Sequence, residues 1–263
     1  MAGSVTLQEA GADGVATLTL AHPGKLNAID IAMWRELRAL LEALQVRPVD
    51  SAPRAVVVRG AGGQFASGGD IAEFAGFRFD EARLRDFHER DVAPALHALL
   101  DCELPLLAQI EGSCIGGGFE IAACCDIRLC GAGSRFGAPI AKLGFPMAPG
   151  ELEILVQVAP VPVLREMLLE ARPLDAAEAL RHGLVHAVVA DDAVAEVALQ
   201  RARQIATLSP QALRLNKRTL HQLAHGGPTP GERHALFGYA DSAEHREGIA
   251  AFLEKRPPRF QRG

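Results

Sequence analysis

The sequence predicts an α/β fold with crossover connections, continued by a helical C-terminal part. Three observations carry this reading. Short apolar runs alternate with helix-period patterns through the first half, glycine-rich loops stand where strands should end, and helix caps dominate from Asp175 onward.

The elements follow in order. Val15–Leu20 reads as a strand, ended by His22-Pro23-Gly24. Asp30 is placed to cap a helix whose apolar face is Ile31, Trp34, Leu37, Leu41 and Leu44, at three- and four-residue spacing. Ala55–Val58 is a β-branched run suited to a buried strand, and it leads into Gly60-Ala61-Gly62-Gly63. Residues 80–100 carry a helical pattern. Pro105–Ile110 reads as a strand, followed at once by Gly112 and the triple glycine Gly116–Gly118. Phe119–Cys125 suits a short helix and Asp126–Cys130 a strand. Further on, Asp175 and Glu178 form a capping-box pattern, Gly183 would end that helix, and Ser209-Pro210 opens another. A division is expected between a core of residues 1–200 and a helical region of residues 201–263.

Composition narrows the function classes. The chain has 263 residues, 49% hydrophobic and 22% charged, enough to bury a sizeable core and too apolar for disorder. A net charge of −5 gives no general attraction to nucleic acid or anionic membranes, so neither is expected as a partner. Met1–Glu9 lacks the basic start and apolar core of a signal peptide, and no apolar run is long enough to span a bilayer. The five cysteines form no C-x-x-C pair, so a reduced, cytoplasmic setting is expected, with no disulfide framework and no zinc site.

Two segments could carry chemistry. Gly116-Gly117-Gly118 lies between a strand and a helix, where glycines admit a ligand to the backbone and free N–H groups favour negative charge. A tight crossing of packed elements would use the same residues. Phe65–Ile71 also follows a strand and could supply a second set of donors, or be a plain βα turn capped by Asp70. Neither loop matches a dinucleotide fingerprint or a P-loop. Glu120, in the first turn after the triple glycine, could act as a general acid or base, or only complement the helix dipole. Gly112-Ser113-Cys114-Ile115-Gly116 has the G-x-C-x-G form of a nucleophile elbow, with Asp126 and His182 or His186 as possible triad partners. The histidine pairs His182/His186 and His221/His225 lack the glutamate of H-E-x-x-H, so metal binding is not expected.

Taken together the chain resembles the crotonase superfamily, the enoyl-CoA hydratase/isomerase family. The resemblance rests on Lys25–Asp30, Phe65–Ile71, Gly112–Asp126, Arg135-Phe136-Gly137 with Leu143-Gly144, Ala179-Leu180 with Gly183-Leu184-Val185, Ser209–Leu213, Arg246–Ile249 and Phe252–Arg256, in that order. It implies a spiral of β-β-α units, with C-terminal helices that build a homotrimer or a dimer of trimers. It also implies an acyl-CoA thioester substrate and no separate cofactor, coenzyme A being part of the substrate. Carried over by position, Gly69 and Gly117 would donate oxyanion-hole N–H bonds to the thioester carbonyl. Glu120 would be the proton-transfer residue. Ala66, Gly69, Asp70, Ile71 and Ala72 would line the pantetheine and acyl region, with Lys25 and Ala28 near the coenzyme A nucleotide. The family's hydratases place a second glutamate after Phe-Gly-x-Pro, and here that position is Ile140. Glu151 and Glu153 stand nearby as replacements from another direction, although helix-start capping also accounts for Glu151. An enzyme stabilising a thioester enolate is thus expected. The alternatives are an acyl-CoA-binding member without efficient chemistry and a cysteine hydrolase using Cys114.

Overall fold

The computed structural model describes residues 2–49 and 51–260. The chain opens with β1 (Ser4–Gln8), β2 (Val15–Ala21), α1 (Ile31–Gln45) and β3 (Ala55–Gly60). Short helices α2 (Ile71–Phe74) and α3 (Glu81–Asp86) precede α4 (Ala93–Asp101). Then come β4 (Leu106–Ile110), β5 (Ser113–Ile115), α5 (Gly117–Ala123), β6 (Ile127–Gly131) and β7 (Arg135–Gly137). Helices α6 (Pro149–Val158) and α7 (Val161–Leu169) lead to β8 (Leu174–Asp175), α8 (Ala176–Arg181) and β9 (Ala187–Val189). The remainder is helical: α9 (Val194–Ala206), α10 (Pro210–Ala224), α11 (Pro230–Ala235) and α12 (Ala243–Leu253).

The main sheet has the order β1-β2-β3-β4-β6-β9 and is parallel apart from the β1–β2 pair. After each of β2, β3, β4 and β6 the chain crosses into a second layer. Ile29 pairs there with Gly69, Ala66 with Cys114, and β5 with β7, all in parallel. β8 closes that layer antiparallel to β7. Strand, second strand segment and helix therefore recur as a unit, and the fold is the spiral expected from the resemblance.

The continuous apolar run of β3 follows from burial on both faces. Val56 and Val58 point into the main core with Leu37, Leu41 and Leu44 of α1. Ala55 and Val57 face the opposite side, against Ala202 and Ala206 of α9, while Ala198 packs on Leu107 and Leu129. Alanines four residues apart give α9 a flat stripe that lies close on the sheet. The division expected between residues 200 and 201 therefore falls inside α9, a helix that belongs to the core.

Three other local differences have clear causes. β1 forms an edge strand that the sequence pattern did not single out; its burial is mixed because it covers one side of β2 only. The helix expected over 119–125 starts two residues earlier, inside the triple glycine. The helical stretch expected over 80–100 is interrupted by a π turn, Phe87–Val92, which buries Phe87 and Val92. Among the described residues no helix is long and apolar enough to cross a membrane.

Candidate active site

Two loops meet where the second layer passes beside α5. Ala66 donates its N–H to the Ser113 carbonyl (2.9 Å) and accepts from the Ile115 N–H (3.0 Å), clamping Phe65–Gly69 against β5. The crossing is close: a Cβ on Gly118 would lie 2.7 Å from the Ala66 Cβ and 2.9 Å from its carbonyl oxygen. Gly116 takes φ +50°, a turn that L side chains rarely adopt, and so brings the α5 N-terminus round to face Gly68. The tight-crossing reading of the triple glycine holds at Gly118, while Gly117 is the residue left open to a cavity.

The entry turn is tied to the same place. The buried Asn27 amide donates to the carbonyls of Ala61 (2.8 Å) and Gln64 (2.7 Å), and its oxygen accepts from the His22 N–H. Ser67 donates its N–H to the Leu26 carbonyl and its hydroxyl to the Lys25 carbonyl.

The cavity has a volume of about 310 Å³, and Gly69, Ile71, Gly117, Glu120 and Ile140 all line it. The rest of its wall is mainly apolar, with Trp34, Phe74, Phe87, Val92, Phe145 and Met147. The N–H groups of Gly69 and Gly117 have no hydrogen-bond acceptor among the described residues. At Gly117 this follows from its place as the first residue of α5, where a helix leaves its N–H groups free. Two free donors beside a buried carboxyl can hold an oxygen that gains negative charge while a proton moves next to it.

Five of the residues carried over from the resemblance lie outside the cavity wall. Ala66 and Ala28 are buried behind it, the first in the β5 pairing and the second with its carbonyl bonded to His22 Nδ1. Asp70 caps α2 through the Ala72 N–H and accepts from Lys25 Nζ at 2.5 Å. The Asp70 cap expected for a βα turn is therefore present, and the Lys25 ion pair holds its carboxyl below the usual aspartate range against the opposing effect of desolvation. Ala72 is exposed on that short helix.

Glu120 is buried in the cavity wall. Desolvation pushes its pKa up to about 8, helped by the charge of Glu151 and opposed by Arg78. Spacing along the chain does not place Glu151 here. It lies in the first turn of α6, but its side chain is 3% exposed and turns into the cavity, where Oε1 meets His88 Nδ1 at 2.9 Å. The capping reading of Glu151 is thus replaced by a buried pair, and Glu153 is exposed. His88 and Arg78 join Ser67 and Lys142 in the polar part of the wall. Neither left a sequence signal, since His88 and Glu151 are 63 residues apart and meet only through the fold.

The nucleophile-elbow reading fails. Cys114 sits in the middle of β5, fully buried, with its Sγ directed at the Gly118 carbonyl (3.6 Å), and burial holds its thiol far above the usual range. Asp126 instead binds the Leu106 N–H and Lys217, and His186 accepts from the Arg128 N–H. Cys114→Ala is expected to retain turnover and to lose about 1 kcal/mol of stability, measured by denaturant unfolding beside a steady-state assay. His221 and His225 meet edge to face with ring centroids 4.4 Å apart, and among the described residues no three or more His, Cys, Asp or Glu cluster as metal ligands.

Comparison with known proteins identifies the family. The family profile described as enoyl-CoA hydratase/isomerase matches residues 10–263. A protein of Rhizobium meliloti named "Probable enoyl-CoA hydratase" is 32% identical over 250 residues, 94% of each chain. The 2,3-dehydroadipyl-CoA hydratase of Escherichia coli is 33% identical over 251 residues, 94% of this chain and 95% of that protein. A crystal structure of an enoyl-CoA hydratase/carnithine racemase from Magnetospirillum magneticum superposes with TM-score 0.93 at 36% identity, covering 100% of this chain and 97% of the other. The spiral fold, the crossing of the two glycine loops and the near-complete match together show that the chain belongs to the enoyl-CoA hydratase/isomerase family of the crotonase superfamily.

Proposed function

We propose that this protein is an acyl-CoA-processing enzyme of the enoyl-CoA hydratase/isomerase type. Gly69 and Gly117 donate their N–H groups to the thioester oxygen, and Glu120 moves the proton at the α-carbon. The observation that carries this reading is the meeting, in one cavity, of two free backbone donors and a buried carboxyl whose pKa stands near 8.

Ile140 leaves the usual second carboxylate position apolar, and Glu151 supplies a carboxylate from α6 instead. In hydration, Glu151 takes a proton from water as its oxygen bonds to the β-carbon. Electron density moves onto the thioester oxygen, and Glu120 gives its proton to the α-carbon. Return of the proton from Glu151 to Glu120 through solvent restores the starting state. No separate cofactor enters the scheme, since coenzyme A arrives with the substrate. Free, buried cysteines suit a reducing cytoplasm. Self-association as a trimer or a dimer of trimers is part of the reading: α10 buries none of its residues, and Leu220, Phe237, Phe252 and Leu253 lie exposed on the C-terminal helices.

The test is the loss of enoyl absorbance when crotonyl-CoA and longer enoyl-CoA esters are mixed with the protein. Hydration of at least one is expected. Ile140 favours one other reading, an acyl-CoA-binding protein without chemistry; tight binding of these esters with no turnover of any would select it.

A further inference from the structure

Arg78 has no role in the proton transfers above, yet its side chain stands in the wall of the same cavity. It lies on the turn after α2, with its guanidinium carbon 4.1 Å from the Phe74 ring centroid and 3.8 Å from that of Phe145. The two rings meet edge to face, which holds the planar group in one orientation. Its Nε is buried and has no acceptor among the described residues, and the guanidinium forms no ion pair there. The buried Arg128 shows the usual arrangement, donating to the carbonyls of Leu184, Ala123 and Cys125. At Arg78, desolvation pulls the pKa down further than the fields of Glu151 and Glu120 push it up, so the charge is left undercompensated.

A second cavity of about 520 Å³ adjoins the first, shares Arg78, His88 and Glu151 with it, and adds Glu89 and Arg85, the latter paired with Glu81. Gly69, Gly117, Glu120 and Arg78 all line the first cavity, so an acyl group held at the two glycines would share its space with the guanidinium. We propose that Arg78 receives a carboxylate at the far end of the acyl group, so that the substrates are CoA thioesters of dicarboxylic acids. A planar fork of N–H donors fixed by two rings matches a carboxylate, which can accept from two of them at once. An acyl chain ending in methyl would leave the buried Nε unpaired.

This inference rests on the acyl-CoA reading, and an equilibrium-binding experiment separates the two. The saturated esters glutaryl-, adipyl- and suberyl-CoA are compared with valeryl-, hexanoyl- and octanoyl-CoA on the full-length protein, with no turnover required. At least one carboxylate-ended ester is expected to bind about tenfold or more tightly than its methyl-ended counterpart. Arg78→Met is expected to remove that preference and Arg78→Lys to keep part of it. Equal binding within every pair would overturn the role of Arg78 and leave the acyl-CoA reading standing. Absence of binding by all six esters would overturn both. The wild-type comparison decides even if a variant folds poorly.

Discussion

Glu120→Gln is expected to lower kcat on an enoyl-CoA by about 10²–10⁴-fold while the Kd for a saturated acyl-CoA stays close to wild type. The amide keeps the shape of the carboxyl but cannot give or take the α-proton, and the two backbone donors remain in place. Single-turnover kinetics and equilibrium binding on the same preparation read both quantities; full activity in this variant would end the assignment. The pH dependence has a definite sign. With a pKa of about 8, Glu120 is mostly protonated at neutral pH, which suits the acid that protonates an enolate. Wild-type kcat/KM for hydration should therefore fall as pH rises through about 8. Stability carries the same information. The unfolded carboxyl ionises near the ordinary value of 4.5 and the folded one near 8, so between these values the unfolded state holds fewer protons and wild-type stability declines as pH rises. Glutamine lacks that linkage. The Tm of Glu120→Gln relative to wild type should thus rise across that window, which scanning calorimetry at several pH values would record.

How far the sequence revealed the fold and site can be traced to particular residues. Local signals were strong where one side chain satisfies its own neighbours: the Asp30 and Ser209 caps and the Asp175/Glu178 capping box all form as expected. Val56–Val58 announced a strand because burial on both faces leaves no polar position to blur the run. The arrangement of strands in two layers is a different matter. The pairings of Ile29 with Gly69 and of Ala66 with Cys114 are single bridges between distant loops, and no periodicity encodes them. Only the ordered set of motifs implied the spiral. At the site, Glu120 was legible because it follows the triple glycine at fixed spacing. Arg78 and His88 were not, because α2, the π turn and α6 bring them together only in three dimensions. For Glu151 the sequence leaves helix-start capping and a replacement carboxylate both open. A carboxylate in a first helical turn usually complements the helix dipole, and only the fold shows that this turn faces a cavity.

Glu151→Gln is the second substitution with a large expected effect, about 10²–10⁴-fold on hydration, since a hydratase needs one group to activate water and another to protonate the α-carbon. A helix-start charge would behave otherwise, because its loss costs about 0.3–1 kcal/mol of stability and leaves chemistry intact. Two further measurements tell these roles apart. Exchange of α-protons with deuterated solvent on a saturated acyl-CoA needs only the backbone donors and Glu120, so it should persist in Glu151→Gln and vanish in Glu120→Gln. The pH profile of that exchange should shift as well. The Glu151 charge helps to raise the Glu120 pKa, so removing it lets Glu120 ionise at lower pH. His88 enters as a positioning residue. Its Nδ1 contact at 2.9 Å holds the Glu151 carboxylate in the cavity, and His88→Ala should weaken hydration while sparing α-proton exchange. If Glu151→Gln hydrates enoyl-CoA at the wild-type rate, water must be activated by a group other than the α6 carboxylate, and the substitution of Ile140 would again stand without compensation.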